Sequence, residues 1–138
     1  MLAKNMADNL SKEKRSKVMA SIKGKNTRPE MMIREILWSR GKRYRLHDRS
    51  IAGVPDISSK KRKVAIFIDG CFWHGCNTCY KEPKTNVDYW RNKMLQNKKR
   101  RGIVIGKLRK DDWMVLQFWE HEILRDTKGV VKEISRFL

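Results

Sequence analysis

No stretch of this chain stays apolar for long enough to cross a bilayer, no segment repeats, and no low-complexity linker divides it. The first absence argues against a membrane-spanning helix. The others leave 138 residues to fold as one domain, around one modest core of two or three layers. Acidic groups are scarce as well: 15 Asp and Glu stand against 33 Lys and Arg, a formal net charge of +18. Such an excess gathers a polyanion at the surface and releases its counterions on binding, which makes nucleic acid the leading partner. Ribosomal and membrane-surface proteins share this balance, so charge alone names a class of partner and not an activity. Without a leader-like apolar segment, the expected residence is cytoplasmic, at the nucleoid.

Cysteine is scarcer still. Cys71, Cys76 and Cys79 all fall within nine residues, spaced C-x4-C-x2-C, directly after the apolar run at 64–68 and Asp69. Soft thiolates on so short a loop suit one tetrahedral zinc ion, which needs a fourth ligand from elsewhere. Of the histidines His47, His74 and His121, the last follows a second apolar run, 113–119, expected to lie beside the first as a neighbouring strand. His121 is therefore the expected fourth ligand. The competing reading is three unliganded core cysteines, or a disulfide with one thiol left over. A disulfide suits an exported protein, and no leader marks this one.

Residues 1–25 form a basic arm, with Lys12, Lys14, Arg15, Lys17, Lys23 and Lys25 set against only Asp8 and Glu13. Val18, Met19 and Ile22 would make part of it a short amphipathic helix after a Ser11 cap, the alternative being a solvated, disordered tail. Met6 is a second candidate start. Residues 26–138 make the folded domain. Its first helix begins at Thr27-Arg28-Pro29-Glu30, where Thr27 and Glu30 have capping-box spacing and Pro29 sits in the donor-free first turn. Met32, Ile33, Ile36 and Leu37 supply the buried face, and Gly41 ends the helix. A strand at 44–47 leads through Ala52-Gly53-Val54-Pro55 to an extended segment from Asp56. Lys60-Lys61-Arg62-Lys63 is the hairpin turn into 64–68, a continuous β-branched run of the kind covered on both faces. After the cysteine loop, Asp88-Tyr89-Trp90 opens a helix. Beyond it, Gly102-Ile103-Val104-Ile105-Gly106 fits either a short strand or a glycine-weakened helix. Residues 113–118 are the last strand, and Ile123 and Leu124 begin a terminal helix. Strands flanked by helices predict an α/β sandwich.

Two carboxylates stand where a hairpin would bring them to one rim of a sheet: Asp56 before its first strand and Asp69 at the end of the next. Hard oxygen ligands at a strand end suit magnesium, which lowers the pKa of a bound water and stabilises charge on phosphate. His74, close in sequence, is the candidate to take the water's proton. Each residue also has a plainer reading: a Pro-Asp turn, an Asp-Gly turn, a helix cap for Glu30, and zinc ligation for His74.

Taken together, Pro55-Asp56, the strand at 64–68 and above all Asp69-Gly70-Cys71-Phe72-Trp73-His74-Gly75-Cys76 resemble the very-short-patch-repair DNA mismatch endonucleases. The likeness runs from Arg15-Ser16-Lys17-Val18-Met19 and Asn26-Thr27, through Pro83-Lys84-Thr85-Asn86 and Tyr89-Trp90, to Trp113 and Trp119-Glu120. It implies a restriction-endonuclease-like sandwich: a central mixed sheet flanked by helices, with a structural zinc site. It also implies magnesium-dependent nicking of double-stranded DNA, 5′ to the thymine of a T:G mismatch left by deamination of 5-methylcytosine. By matching position, Asp56 and the backbone carbonyl of Ile68 would hold magnesium, His74 would act near the attacking water, and Glu30 would support the site. Phe72, Trp73 and Trp90 match an aromatic wedge beside the mismatch, and Met19 matches a residue that intercalates from the opposite groove. Lys93 is among the basic side chains that would hold phosphates in register. The implied partners are mismatch-repair proteins and a cytosine-5 methyltransferase system, with the enzyme a monomer.

The departures are specific. Asp69 stands where a family member has histidine, which makes it a candidate extra metal ligand instead of a proton carrier. The family's zinc ligands run cysteine, histidine, cysteine and a later cysteine, whereas here the matching positions are Cys71, Cys76, Cys79 and His121. One histidine and one cysteine have exchanged places, with a one-residue insertion before Cys79, and the total of four survives. Gly102 and Gly106 lie where the family has a polar helix. Phe72 and Trp73 have a core reading too, although alternation sends adjacent side chains to opposite sides. Three classes of function stand: a mismatch-nicking enzyme, a restriction-associated nuclease of different target, and a noncatalytic zinc-bearing nucleic-acid-binding protein. The third leaves Asp56 and His74 unexplained.

Overall fold

The computed structural model describes residues 27–71 and 74–138; the basic arm with Met19, and the pair Phe72 and Trp73, lie outside the described residues. Helix α1 (Arg28–Ser39) follows Thr27, with Pro29 in its first turn, where a missing N–H costs nothing. Ile33 and Leu37, one turn apart, are its fully buried apolar residues. The capping box expected of Thr27 and Glu30 does not form: Thr27 makes no side-chain cap, and the buried Glu30 carboxylate turns to Arg34 and His47. Beyond the helix Gly41 takes a φ of 79°. Its N–H donates to the Trp38 carbonyl and that of Lys42 to the Leu37 carbonyl, each at 3.0 Å. This closure satisfies two end carbonyls and needs the left-handed backbone that glycine adopts freely.

Strands β1 (Arg45–Leu46), β2 (Ile57–Ser59) and β3 (Val64–Asp69) pair antiparallel in turn, and β4 (Met114–Trp119) joins β3 in parallel. The sheet is mixed and four-stranded, in the order β1-β2-β3-β4. The predicted basic turn at 60–63 joins β2 to β3, and the predicted neighbours β3 and β4 are in register, Val64 opposite Met114 and Asp69 opposite Trp119. Their parallel connection requires a crossover, which helix α2 (Val87–Lys110) supplies.

Alternation along β3 divides the interior in two. Val64 and Ile66 face a core with Ile33 and Leu37 of α1 and with Ile123, Val130, Val131 and Ile134 near the C-terminus. Ala65 and Phe67 face the opposite way, onto Ile105 and Leu108 of α2, Ile51 and Val115. Helices therefore cover both faces, which is why residues 64–68 are apolar without interruption. The expected single terminal helix is two, α3 (Glu120–Arg125) and α4 (Thr127–Ser135). Asp126 separates them and caps the second, its Oδ1 accepting the Gly129 N–H at 3.1 Å.

The segment around Gly102 and Gly106 is helix. Its apolar residues decide this: Val104, Ile105 and Leu108 reach the sheet from one helical face, while Ile103 is exposed. Gly53 explains how closely α2 approaches. Its φ is 76°, and a Cβ there would strike Val104 and press on Phe67. Gly102 and Gly106 have open space instead, so they weaken the helix without serving a contact.

Candidate active site and cysteine cluster

Because β2 runs against β3, the residue before β2 and the residue that ends β3 share a rim, so Asp56 and Asp69 meet at one edge of the sheet. Asp56 is 8% exposed, and its Oδ2 accepts the Ile68 N–H at 2.7 Å. Helix α1 delivers Glu30 to the same place. Its carboxylate, 1% exposed, accepts Arg34 Nη1 at 3.1 Å and pairs with His47 Nε2 at 3.0 Å through the same oxygen, Oε2. His47 lies just past β1, with Nδ1 3.8 Å from Asp56 Oδ1. Glu30, His47 and Asp56 thus bring three ligand atoms within 4.8 Å of one another. Burial, reinforced by the charges of Glu30 and Asp69, pushes the Asp56 carboxyl up to about 7, against the Ile68 amide and Arg101. A carboxylate so crowded by like charge holds its own charge best beside a cation.

Asp69 has a different setting. Arg101 grips it through Nε (3.1 Å to both oxygens) and Nη2 (2.7 Å to Oδ1), Gln117 Nε2 donates to Oδ2, and His74 Nε2 stands 3.5 Å from Oδ1. The Arg101 guanidinium also lies over the Phe67 ring, 4.1 Å from its centroid. Asp69 is held by donors, outside the Glu30–His47–Asp56 cluster. Burial holds His74 below the ordinary imidazole range even though Asp69 pulls the other way. Glu120, which follows β4 at the same rim, is raised by burial and by Asp69.

One step beyond this rim the cysteine loop meets α3. His121 Nδ1 lies 3.3 Å from Cys71 Sγ and 3.6 Å from Cys76 Sγ, and with Cys79 the four ligand atoms lie within 4.8 Å of one another. The register of β3 against β4 produces this: Cys71 and His121 each stand two residues past the paired Asp69 and Trp119. Three sulfurs and an imidazole nitrogen from two segments form a donor set that suits a closed tetrahedral zinc site. Burial, with the neighbouring Cys76 and Cys79 sulfurs, pushes the Cys71 thiol up to about 12. A divalent cation among the sulfurs would reverse that shift. No pair of these cysteines is joined by a disulfide.

The profile of the DNA mismatch endonuclease Vsr family matches residues 7–81 of the chain. The chain belongs to the Vsr family. Among its Vsr-like relatives, a type II nicking enzyme of Haemophilus parainfluenzae, V.HpaIIP, is 41% identical over 132 residues, 94% of each protein. V.NmeDIP, a type II nicking enzyme of Neisseria meningitidis serogroup C, is 42% identical over 131 residues, 94% of this chain and 88% of the relative. The DNA mismatch endonuclease Vsr of Escherichia coli K12 is 36% identical over 117 residues, 83% of this chain and 74% of the relative. Membership makes the protein a DNA endonuclease, and the mixed α/β sheet with its carboxylate rim accords with that. Among the described residues no helix is long and apolar enough to cross a membrane.

Of the residues singled out from the sequence, Glu30 and Asp56 converge in this Vsr-family rim, Asp69 and His74 form its second pair, and Ile68 contributes its amide. Trp90 and Lys93 lie on the first turns of α2, away from the buried half of that helix; Trp90 stacks edge-on against Tyr89 with centroids 4.8 Å apart. Sequence reasoning gave no role at this rim to His47, Arg101, Gln117 or Glu120. No spacing marks them, because each reaches the rim from its own element.

Proposed function

We propose that the protein nicks one strand of double-stranded DNA 5′ to the thymine of a T:G mismatch, by magnesium-dependent hydrolysis. The observation that carries this reading is the buried rim in which Asp56, Glu30 and His47 cluster while His74 lies against Asp69. Asp56 and the carbonyl of Ile68 would hold magnesium, with Glu30 supporting them. Magnesium, when bound, lowers the pKa of a water and offsets charge developing on the phosphate. His74 would act near the attacking water, with Asp69, fixed by Arg101 and Gln117, held against its ring. Asp69 there puts a carboxylate where a family member has histidine.

Phe72, Trp73 and Trp90 would enter the stack beside the mismatch, where a wobble pair resists unstacking least, and Met19 would enter from the opposite groove. The excess of basic residues, Lys93 among them, holds the phosphates without reading sequence. Zinc on Cys71, Cys76, Cys79 and His121 would brace the loop that carries the aromatic pair. Residues 1–25 act as a DNA-contacting arm on the nuclease domain of 26–138. The protein would work as a monomer at the nucleoid, alongside mismatch-repair proteins and a cytosine-5 methyltransferase.

A second reading is favoured by the relatives named type II nicking enzymes: the same site would serve a restriction-linked nuclease of another target. Incubation with magnesium and end-labelled duplexes, matched or carrying T:G in varied contexts, separates the two. The expected product is a single nick 5′ to the mismatched thymine. Equal cutting of the matched duplex would favour the second reading, and no cutting of any duplex would refute both.

A further inference from the structure

His47 is built into the site in a way that defines what its free nitrogen can do. Glu30 Oε2 accepts both Arg34 Nη1 and His47 Nε2, at 3.1 and 3.0 Å. A carboxylate oxygen facing a guanidinium is an acceptor, so His47 donates from Nε2, which in the neutral tautomer leaves the lone pair on Nδ1. That lone pair faces Asp56 Oδ1 across 3.8 Å. The gap is too long for a hydrogen bond, so no direct bond between the two atoms occupies the space between them. Metal bonds of about 2.0–2.2 Å from each atom would meet at a common point between them.

The backbone is arranged for the same end. His47 has a φ of 47°, in the left-handed region that few non-glycine residues occupy. Its N–H still bonds the Asp56 carbonyl at 3.2 Å, one step past the last β1–β2 pair, Leu46 with Ile57. The chain therefore stays paired while the left-handed residue re-aims the ring toward the carboxylates. Strained backbone of this kind persists where the surroundings hold it in place, and it collects at functional sites. A metal-bound histidine almost always donates its other N–H to a carboxylate, and Glu30 occupies that position.

We propose that His47 Nδ1 is a direct ligand of the divalent cation held by Asp56, and that Glu30 is the positioning residue that fixes the tautomer and orientation of the ring. This rests on the reading that Asp56 holds the metal. An imidazole in the ligand set raises affinity for manganese and the later transition metals relative to magnesium, because magnesium takes oxygen ligands by preference. Glu30 then acts on the metal through His47.

The test uses the full chain with its zinc content measured, without DNA, titrated with Mn2+ and followed by electron paramagnetic resonance. Pulsed measurements detect nitrogen bonded directly to the bound Mn2+. The wild type should bind one Mn2+ that Asp56→Asn abolishes, and show a nitrogen coupling that His47→Gln removes. His47→Gln should also weaken Mn2+ binding roughly tenfold to a hundredfold, and Mg2+ binding by less. Glu30→Gln should weaken Mn2+ binding to a similar degree while keeping the coupling. Mn2+ bound through Asp56 with no nitrogen coupling in the wild type, or with a coupling that survives in His47→Gln, would overturn the role of His47 alone. Mn2+ binding unchanged in Asp56→Asn, or absent from the wild type, would overturn the metal reading and the proposal with it. Where a variant fails to fold, Mn2+ bound to the wild type without nitrogen coupling still overturns the role of His47, and 15N labelling of histidine with His74→Gln and His121→Cys tested separately identifies which ring supplies a coupling that is present.

Discussion

Arg101→Met should be the most costly single change at the site. The methionine keeps apolar contact with Phe67 but removes every donor of the guanidinium fork, leaving Asp69, 1% exposed, with Gln117 and the His74 ring. Breaking a buried pair from one side typically costs about 3–5 kcal/mol, since the remaining charge stays desolvated without its partner. Loss of the cation over the Phe67 ring adds about 0.5–1 kcal/mol. For a chain of this size the sum corresponds to a fall in melting temperature of about 10–20 °C. Asp69→Asn in the same background removes the stranded charge, so the double variant should recover at least about 2 kcal/mol of what the two single losses sum to. Urea unfolding of the four proteins at matched zinc content measures this directly. A loss below about 1 kcal/mol for Arg101→Met, or additivity within about 0.5 kcal/mol, would show that the pair is not the buried linchpin described above.

Asp56→Asn should abolish nicking while leaving DNA affinity nearly intact, measured by cleavage and by binding at one salt concentration. Its effect on stability has a definite sign. The folded carboxyl is raised from 3.8 to about 7, so its contribution to the metal-free fold is fully present below about pH 4 and is lost as pH rises through 7. Denaturant midpoints of metal-free protein should therefore fall over that range more steeply for wild type than for Asp56→Asn, and parallel curves would refute the crowding of Asp56. Elemental analysis should find about one zinc per chain, and chelation should lower the melting temperature; metal-free protein with unchanged melting would refute the zinc site. Gly102→Ala and Gly106→Ala, both facing open space on α2, should each stabilise the fold by about 0.5–1 kcal/mol in the same unfolding assay. Trp73→Ala should weaken binding to T:G duplex roughly tenfold or more beyond its effect on matched duplex, with melting unchanged; equal losses and lowered melting would make Trp73 a core residue.

The elements legible in the sequence were those whose signal is local. The apolar run at 64–68 identifies β3 because both of its faces are covered, and the left-handed stop at Gly41 follows from one residue. The cysteine spacing, joined to the expectation that 113–119 neighbours 64–68, led to His121, and the parallel register brings that residue within reach. Partners that no motif or strand pairing marked were not legible. Glu30 had the spacing of a cap, yet it meets His47, a residue 17 positions later that only the β1–β2 pairing brings back to α1. Asp69 suggested a metal ligand, but its meaning depends on Arg101, one among many basic residues until α2 crosses the sheet. The glycines at 102 and 106 obscured a helix because propensity weakens there, while the contacts that preserve it, through Val104, Ile105 and Leu108, are tertiary.

The parallel join of β3 to β4 also makes the rim depend on the last strand of the chain. Asp69 and Gln117 are 48 residues apart in the chain, and Cys71 and His121 are 50 apart. Contacts that close such long loops carry a larger entropic cost than local ones and slow folding as a whole. A nascent chain that has emerged only through α2 already has Asp56, Glu30 and most of its basic charge, yet it lacks β4, Gln117 and His121. The rim and the cysteine cluster are therefore completed by the same pairing of β3 with β4. A chain made only as far as α2 holds the basic charge that suits DNA without the strand that completes the rim.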